Sequence, residues 1–401
     1  MNEQLLYWIW LALRPRLGAK RLRELMERFG QPQALFEADA ATLERAGLSP
    51  GLQHALLDKN LQPARAILQA CERLDITVLT PDAANYPAIL WQTADAPAVL
   101  YCRGTLPARE RQPWVGLVGS RDADAQGLAL ASRFGAEIAA SGGVVVTGMA
   151  KGIDAAAAHG ALGQDCPVVG VLGCGVDLVY PRENAALFQC VVKNGCLLSE
   201  YPPGTAPSAR HFPARNRIIS ALSDGIVVIR AAEESGALIT ARWAREQGRD
   251  VFSVPGPAGD PLSRGCNRLL RDGAILAESG LDVMREYRYR YPGAVRMQNA
   301  ECKMQNEGSG GTSGSGAHRC ATEQASPEEA GAVETHSVRP LPADLSPEQA
   351  AIVAALQGGP MQLDALIDKT GLPAAKVLPQ LTVLQIRQIL SQEPGKIYKL
   401  L

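Results

Sequence analysis

The sequence predicts an α/β fold: a mostly parallel sheet in the middle of the chain, a small helical domain before it and a winged-helix module after it. Three observations carry this. Between about 110 and 285, six short apolar runs alternate with helical patterns, as a parallel sheet requires. Residues 1 to about 80 carry helical spacing alone. A glycine- and serine-rich stretch, Gly308 to Gly316, then separates the sheet from a helix-helix-helix-hairpin pattern at the end of the chain.

Each element has its own local reason. In the helical domain, residues 1–80, Leu22, Leu25, Met26 and Phe29 form an apolar stripe that Gly30 terminates. The run Leu5 to Leu13 follows Glu3 and is too short to span a bilayer, so it reads as the first helix, with Trp8 and Trp10 in the core. Arg14 to Arg28 holds six basic residues against two acidic ones around a glycine turn. This is either a helix-hairpin-helix contact to DNA backbone or a solvated helix face.

The central domain, residues 81–286, takes its strands from Val115 to Val118, Val144 to Thr147, Val168 to Leu172, Gly195 to Ser199, Gly225 to Ile229 and Asp250 to Val254. These runs are continuous rather than alternating, which fits strands covered on both faces. Residues 287–343 read as a flexible linker. Residues 344–401 read as helices from Pro347, Leu363 and Ala374, followed by a hairpin turning at Pro394-Gly395. That module carries five basic and five acidic residues, and its third helix brings only Lys376, so a protein-contact role is expected rather than strong duplex reading.

At 401 residues, with 46% hydrophobic and 20% charged residues, the chain supports more than one folded core. Forty basic against forty-one acidic side chains give a net charge of −1, so any nucleic-acid site must be local. Nine cysteines without C-x-x-C spacing point to a reduced, cytoplasmic protein. The sequence shows no membrane insertion signal, no metal-ligand spacing, no Walker A loop and no hydrolase elbow; no cofactor is expected.

The chemistry concentrates in turns that follow strands, where α/β sheets bind ligands. Gly119-Ser120-Arg121 brings the backbone close to a ligand and offers an arginine that can grip an oxygen bidentately; it lacks the glycines of a dinucleotide fingerprint. Gly148, Lys151 and Gly152 form a tight turn whose bared N–H groups and helix start suit an anion, with Asp154 expected as the N-cap. The two glycines also fit plain strand-to-helix packing. His159, just beyond, reads as a satisfied buried histidine rather than a general base.

Arg210, His211, Phe212, Arg215, Asn216 and Arg217 form the densest basic cluster, pairing phosphate neutralisation with a face for base stacking. Ser235 and Thr240 bracket a helix start able to serve a phosphate, and Arg249 lies downstream. Residues 210–271 carry ten basic and six acidic side chains, a local excess of four positive charges.

Together the segments at 119–121, 144–154, 212–217 and 235–240 resemble the DNA-processing protein A family (DprA, also called Smf), strongly from about Tyr86 to Ala274. The resemblance implies a Rossmann-like domain, preceded by a SAM or helix-hairpin-helix-like domain, that holds single-stranded DNA during natural transformation. It also implies homodimers and a RecA recombinase partner loaded onto the strand. Arg121 matches a family arginine that contacts the DNA backbone. One departure matters: where the family usually has a glutamate, this chain has Arg230. That residue argues against acid–base chemistry and adds a phosphate contact. A nucleotide-processing enzyme of the lysine-decarboxylase-like group is the alternative, but the P-G-G-x-G-T turn of that group is absent. The expected site is therefore non-catalytic, and Arg121→Ala or Arg217→Ala is expected to weaken strand binding.

Overall fold

The computed structural model describes residues 3–15, 17–296, 346–386, 389–393 and 397–400. It divides into two compact units, Met1–Gln298 and Asn299–Leu401.

In the first unit, six helices from Glu3–Ala12 to Gln62–Arg73 precede the sheet. The predicted stripe is buried through Leu22 and Leu25, and the N–H of Gly30 closes that helix on the carbonyl of Met26. Trp8 and Trp10 are core residues, and the indole of Trp10 donates to the carbonyl of Asp58 at 2.9 Å. These helices and one face of the sheet share a continuous apolar core.

Nine strands form the sheet: β1 (Thr77–Leu79), β2 (Leu100–Gly104), β3 (Trp114–Gly119), β4 (Val144–Thr147), β5 (Val168–Val171), β6 (Cys196–Ser199), β7 (Gly225–Ile229), β8 (Asp250–Ser253) and β9 (Ile275–Leu276). Their order is β1-β2-β6-β5-β4-β3-β7-β8-β9. From β6 to β9 all neighbours are parallel, whereas β2 pairs with β6 and β1 with β2 antiparallel. Residues of β3, β4, β5 and β7 are almost all buried, which is why their sequences run apolar without alternation. The chain steps outward from β3 through β4 and β5 to β6, then returns to β7 on the other side of β3. A crevice therefore opens beyond the carboxyl ends of β3 and β7, at Gly119 and Ile229.

The segment from 287 to 296, expected as the start of a linker, packs against the first unit instead. After the helix Gly280–Tyr287 the chain turns back and buries Tyr291, whose hydroxyl donates to the fully buried carboxylate of Asp224 at 3.0 Å. Arg109 and Arg290 pair with the same carboxylate, and the Trp114 N–H donates to it. A buried carboxylate needs such partners, and they hold this segment to the unit. The rest of the expected linker, including Gly308 to Gly316, lies outside the described residues.

The second unit has helices Pro347–Leu356, Leu363–Thr370 and Ala374–Ile386, with β10 (Met361–Gln362), β11 (Leu390–Glu393) and β12 (Ile397–Leu400) in the order β10-β12-β11. This is a winged-helix domain. Ser346 and Gln349 form a capping box at its first helix, and Leu366, Val377, Leu381 and Leu384 fill its core. No helix among the described residues is long and apolar enough to cross a membrane.

Candidate nucleic-acid interface

The crevice holds a cleft of about 720 Å³, walled by the turn after β3, the loop at Tyr180, the start of the helix His211–Leu222 and the start of the helix Gly236–Glu246. A smaller cavity of about 70 Å³ adjoins it, lined by Arg121, Lys151, Tyr180 and Phe212 among others. That total volume suits a ligand larger than a phosphate.

The two glycine turns are shaped by packing. A Cβ on Gly119 would stand 1.9 Å from the carbonyl oxygen of Ile229, so only glycine lets β3 end this close to β7. Gly152 has φ +80°, and a Cβ there would meet the Ser120 carbonyl oxygen at 2.4 Å. Packing is one of the two readings the sequence leaves open for the glycines; the expected phosphate cradle, in contrast, keeps fewer free donors than predicted. The N–H of Ile153 donates to the Ser120 carbonyl at 3.1 Å, and the N–H of Ala150 donates to the Asp154 carboxylate at 3.4 Å. The protein's own oxygens occupy two donors of that turn. Asp154 is not the N-cap: Gly152 holds that position and Asp154 lies buried in the first turn. Burial pushes its carboxyl above the ordinary value, opposed by the charge of Arg215.

Arg215 is a second correction. Its side chain is buried, donating to the Gly148 carbonyl at 2.7 Å and to the Val171 carbonyl, and so ties the ends of β4 and β5 together. Burial lowers its pKa to about 10. A Cβ on Gly148 would lie 2.6 Å from both the Arg215 guanidinium and the Asp154 carboxylate. Arg215 thus underlies the cleft rather than presenting a free charge to it.

The residues that do face solvent together are Arg121, Phe212 and Tyr180. The Arg121 guanidinium lies 5.1 Å over the Phe212 ring, and Phe212 stacks on Tyr180 at 5.6 Å with 25° between planes. Among the described residues Arg121 has no carboxylate within 4 Å. Lys151 is also exposed at this rim, but pairs with Asp122 at 2.6 Å. The Asp122 carboxyl is held below its ordinary value by its hydrogen bond from Lys151. Sequence reasoning missed Tyr180, which lies 59 residues along the chain from Arg121 and 32 from its ring partner Phe212, and follows no periodic element. Its one signal was an exposed-type aromatic just after the Gly173-Cys174-Gly175 turn.

Ser120, Asn216, Ser235 and Thr240 also line the cleft. Ser235 caps its helix by accepting from the Ala237 N–H at 3.3 Å, and the Asn216 amide donates to the Gly236 carbonyl at 3.4 Å. Thr240 is 1% exposed. Arg210 is exposed at the start of its helix but lines neither cavity, and the His211 ring stacks on Tyr201 at 4.0 Å.

Other expected contacts lie elsewhere. Arg217 forms a bidentate pair with Glu200, at 2.9 and 2.7 Å, facing the N-terminal helices. Arg249 lies just before the amino end of β8, away from the carboxyl ends where the cleft opens, and donates to the Ala221 carbonyl. Arg230 is no phosphate contact: with φ +53° it is locked between Asp124 and Asp260. His159 is exposed, not buried. In the N-terminal basic segment, Arg14 is spent on Asp58 and three carbonyls, and Arg23 on the carbonyls of Trp91 and Thr93. Arg21 pairs with Glu24, and Arg16 lies outside the described residues. Arg14 and Arg23 therefore serve the packing of this domain, and neither a free DNA-contacting cluster nor a wholly solvated face describes the segment.

A family model described as DNA recombination-mediator protein A matches residues 77–288, and one described as the DprA winged helix domain matches residues 337–396. The chain is 34% identical over 423 residues to Protein Smf of a Synechocystis species, covering 99% of each. It is 42% identical over 206 residues to the DNA processing protein DprA of Streptococcus pneumoniae, covering 51% of this chain and 72% of that one. An X-ray structure of DNA processing protein A from Streptococcus pneumoniae matches with a TM-score of 0.61 at 32% identity, over 71% of this chain and 97% of that chain.

Proposed function

Because this chain belongs to the DNA-processing protein A (DprA/Smf) family, we propose that it binds single-stranded DNA at the β3/β7 crevice and acts by holding the strand. The observation that carries this reading is the Arg121–Phe212–Tyr180 stack, an unpaired cation beside two aromatic rings. Single-stranded DNA presents phosphates and unstacked bases within one nucleotide of each other, which is the pair of features such a rim complements. A duplex keeps its base faces stacked inside.

The role is binding rather than catalysis. In the enzyme alternative the turn after β7 would carry an acid, and here Arg230 fills that position and is neutralised by Asp124 and Asp260. The family membership supports the wider role: the strand is DNA taken up in natural transformation, held in the cytoplasm by a homodimer and handed to RecA recombinase. The winged-helix unit serves a protein contact, since Lys376 is the basic residue its third helix brings.

Fluorescence anisotropy with single- and double-stranded oligonucleotides, across roughly 50 to 300 mM salt, tests the reading. The expected result is a single-strand preference with affinity falling by about 0.7 log units per log of salt for each phosphate contact. Equal affinity for duplex, or binding indifferent to salt, would overturn it. Release of base from nucleoside monophosphates by the purified protein would favour the enzyme instead.

A further inference from the structure

One cleft-lining residue runs against a site built only for phosphates. Glu234 lines the wall of this cleft immediately before the Ser235 cap; it is exposed, and among the described residues it has no basic partner within 4 Å. An unpaired carboxylate repels a phosphate, so a strand lying in this cleft turns bases, not backbone, toward that wall. The lining also includes the apolar residues Val118, Ile219 and Ile239 and the buried Thr240. Such a lining suits the body of a heterocycle that carries a polar edge.

The bases differ in what they offer a carboxylate. Guanine presents two adjacent donors, N1–H and the N2 amine, which match the two oxygens of one carboxylate. Cytosine and adenine present one amine beside a ring acceptor, and thymine presents one N–H between two carbonyls that the carboxylate repels. Resting on the strand-binding reading above, we propose that Glu234 makes this cleft selective for guanine in single-stranded DNA.

The test is anisotropy with labelled strands of equal length: oligothymidine, a T-T-G repeat with no guanine run, and the same repeat with inosine, which lacks the N2 amine. The protein is expected to bind the guanine repeat roughly tenfold more tightly than oligothymidine, with inosine between. Glu234→Gln is expected to bring the three within about twofold while keeping or raising oligothymidine affinity. Equal binding of all three strands by the parent protein overturns the proposal, as does a Glu234→Gln variant that shifts all three by one factor, which makes the carboxylate a general repulsive charge. Failure to bind any of the strands would instead overturn the strand-binding reading itself.

Discussion

The Arg121 guanidinium lies 5.1 Å from the centroid of the Phe212 ring, which itself stacks on Tyr180. A cation neutralises a phosphate and releases counterions, whereas an aromatic face stacks a base without doing so. Their deletions should therefore separate by salt dependence. Arg121→Ala is expected to weaken binding of oligothymidine about tenfold and to flatten the salt slope by about 0.7. Tyr180→Ala is expected to cost 1–3 kcal/mol of the order found for one stacked base, with the slope unchanged. Anisotropy titrations at three salt concentrations measure both; identical slope changes would refute the division of labour.

Arg217 is expected to behave as a structural residue. Its two hydrogen bonds to Glu200 consume its charge, and both side chains are mostly buried. Arg217→Ala strands that carboxylate, so a loss of roughly 1–3 kcal/mol of stability is expected, between exposed and fully buried pairs. Strand affinity per folded molecule and its salt slope should stay the same. A native-state loss of salt slope equal to that of Arg121→Ala would place Arg217 on the DNA after all.

The misassignment of Arg217 has a simple geometric cause. Arg215 and Arg217 are two positions apart in the helix His211–Leu222, about 200° around its axis, so they cannot serve one face. Charge density along the sequence suggested a single patch; the helix divides it among the buried tie of Arg215, the mostly buried Arg217–Glu200 pair and an exposed Arg210. The six central strands were legible because burial on both faces writes an uninterrupted apolar run. β1 and β9 span three and two residues, too short to carry a pattern, and β2 forms its antiparallel pairs near the sheet edge. Gly119 and Arg121 were legible because a strand ends there. Tyr180 and Glu234 gain their meaning only when folding sets the loop at 180 and the turn at 234 around one cleft.

Asp154 makes a prediction about pH. Burial raises its carboxyl above the unfolded value, and the nearby Arg215 charge opposes this. A group that holds its proton more tightly when folded contributes stability at low pH, and that contribution is lost as pH rises from the unfolded toward the folded pKa. Asp154→Asn keeps an oxygen to accept from the Ala150 N–H but cannot ionise. The Tm difference between variant and parent is therefore expected to move in the variant's favour between about pH 4 and neutrality. Thermal melts across that range measure it, and a difference independent of pH would show that Asp154 titrates as an ordinary carboxylate.

Asp122 competes with DNA for Lys151. The 2.6 Å pair is exposed on both sides, so it adds little to stability, but it offsets the positive charge nearest the Arg121 rim. Asp122→Ala is expected to raise oligothymidine affinity roughly threefold at low salt and to steepen the salt slope, because Lys151 then meets a phosphate instead of a carboxylate. Lys151→Ala is expected to do the reverse. Combining the two should reproduce Lys151→Ala alone, since removing the lysine leaves Asp122 nothing to compete for. Weaker binding by Asp122→Ala would mean that the carboxylate holds the lysine in its binding position, and would reverse the sign of the argument.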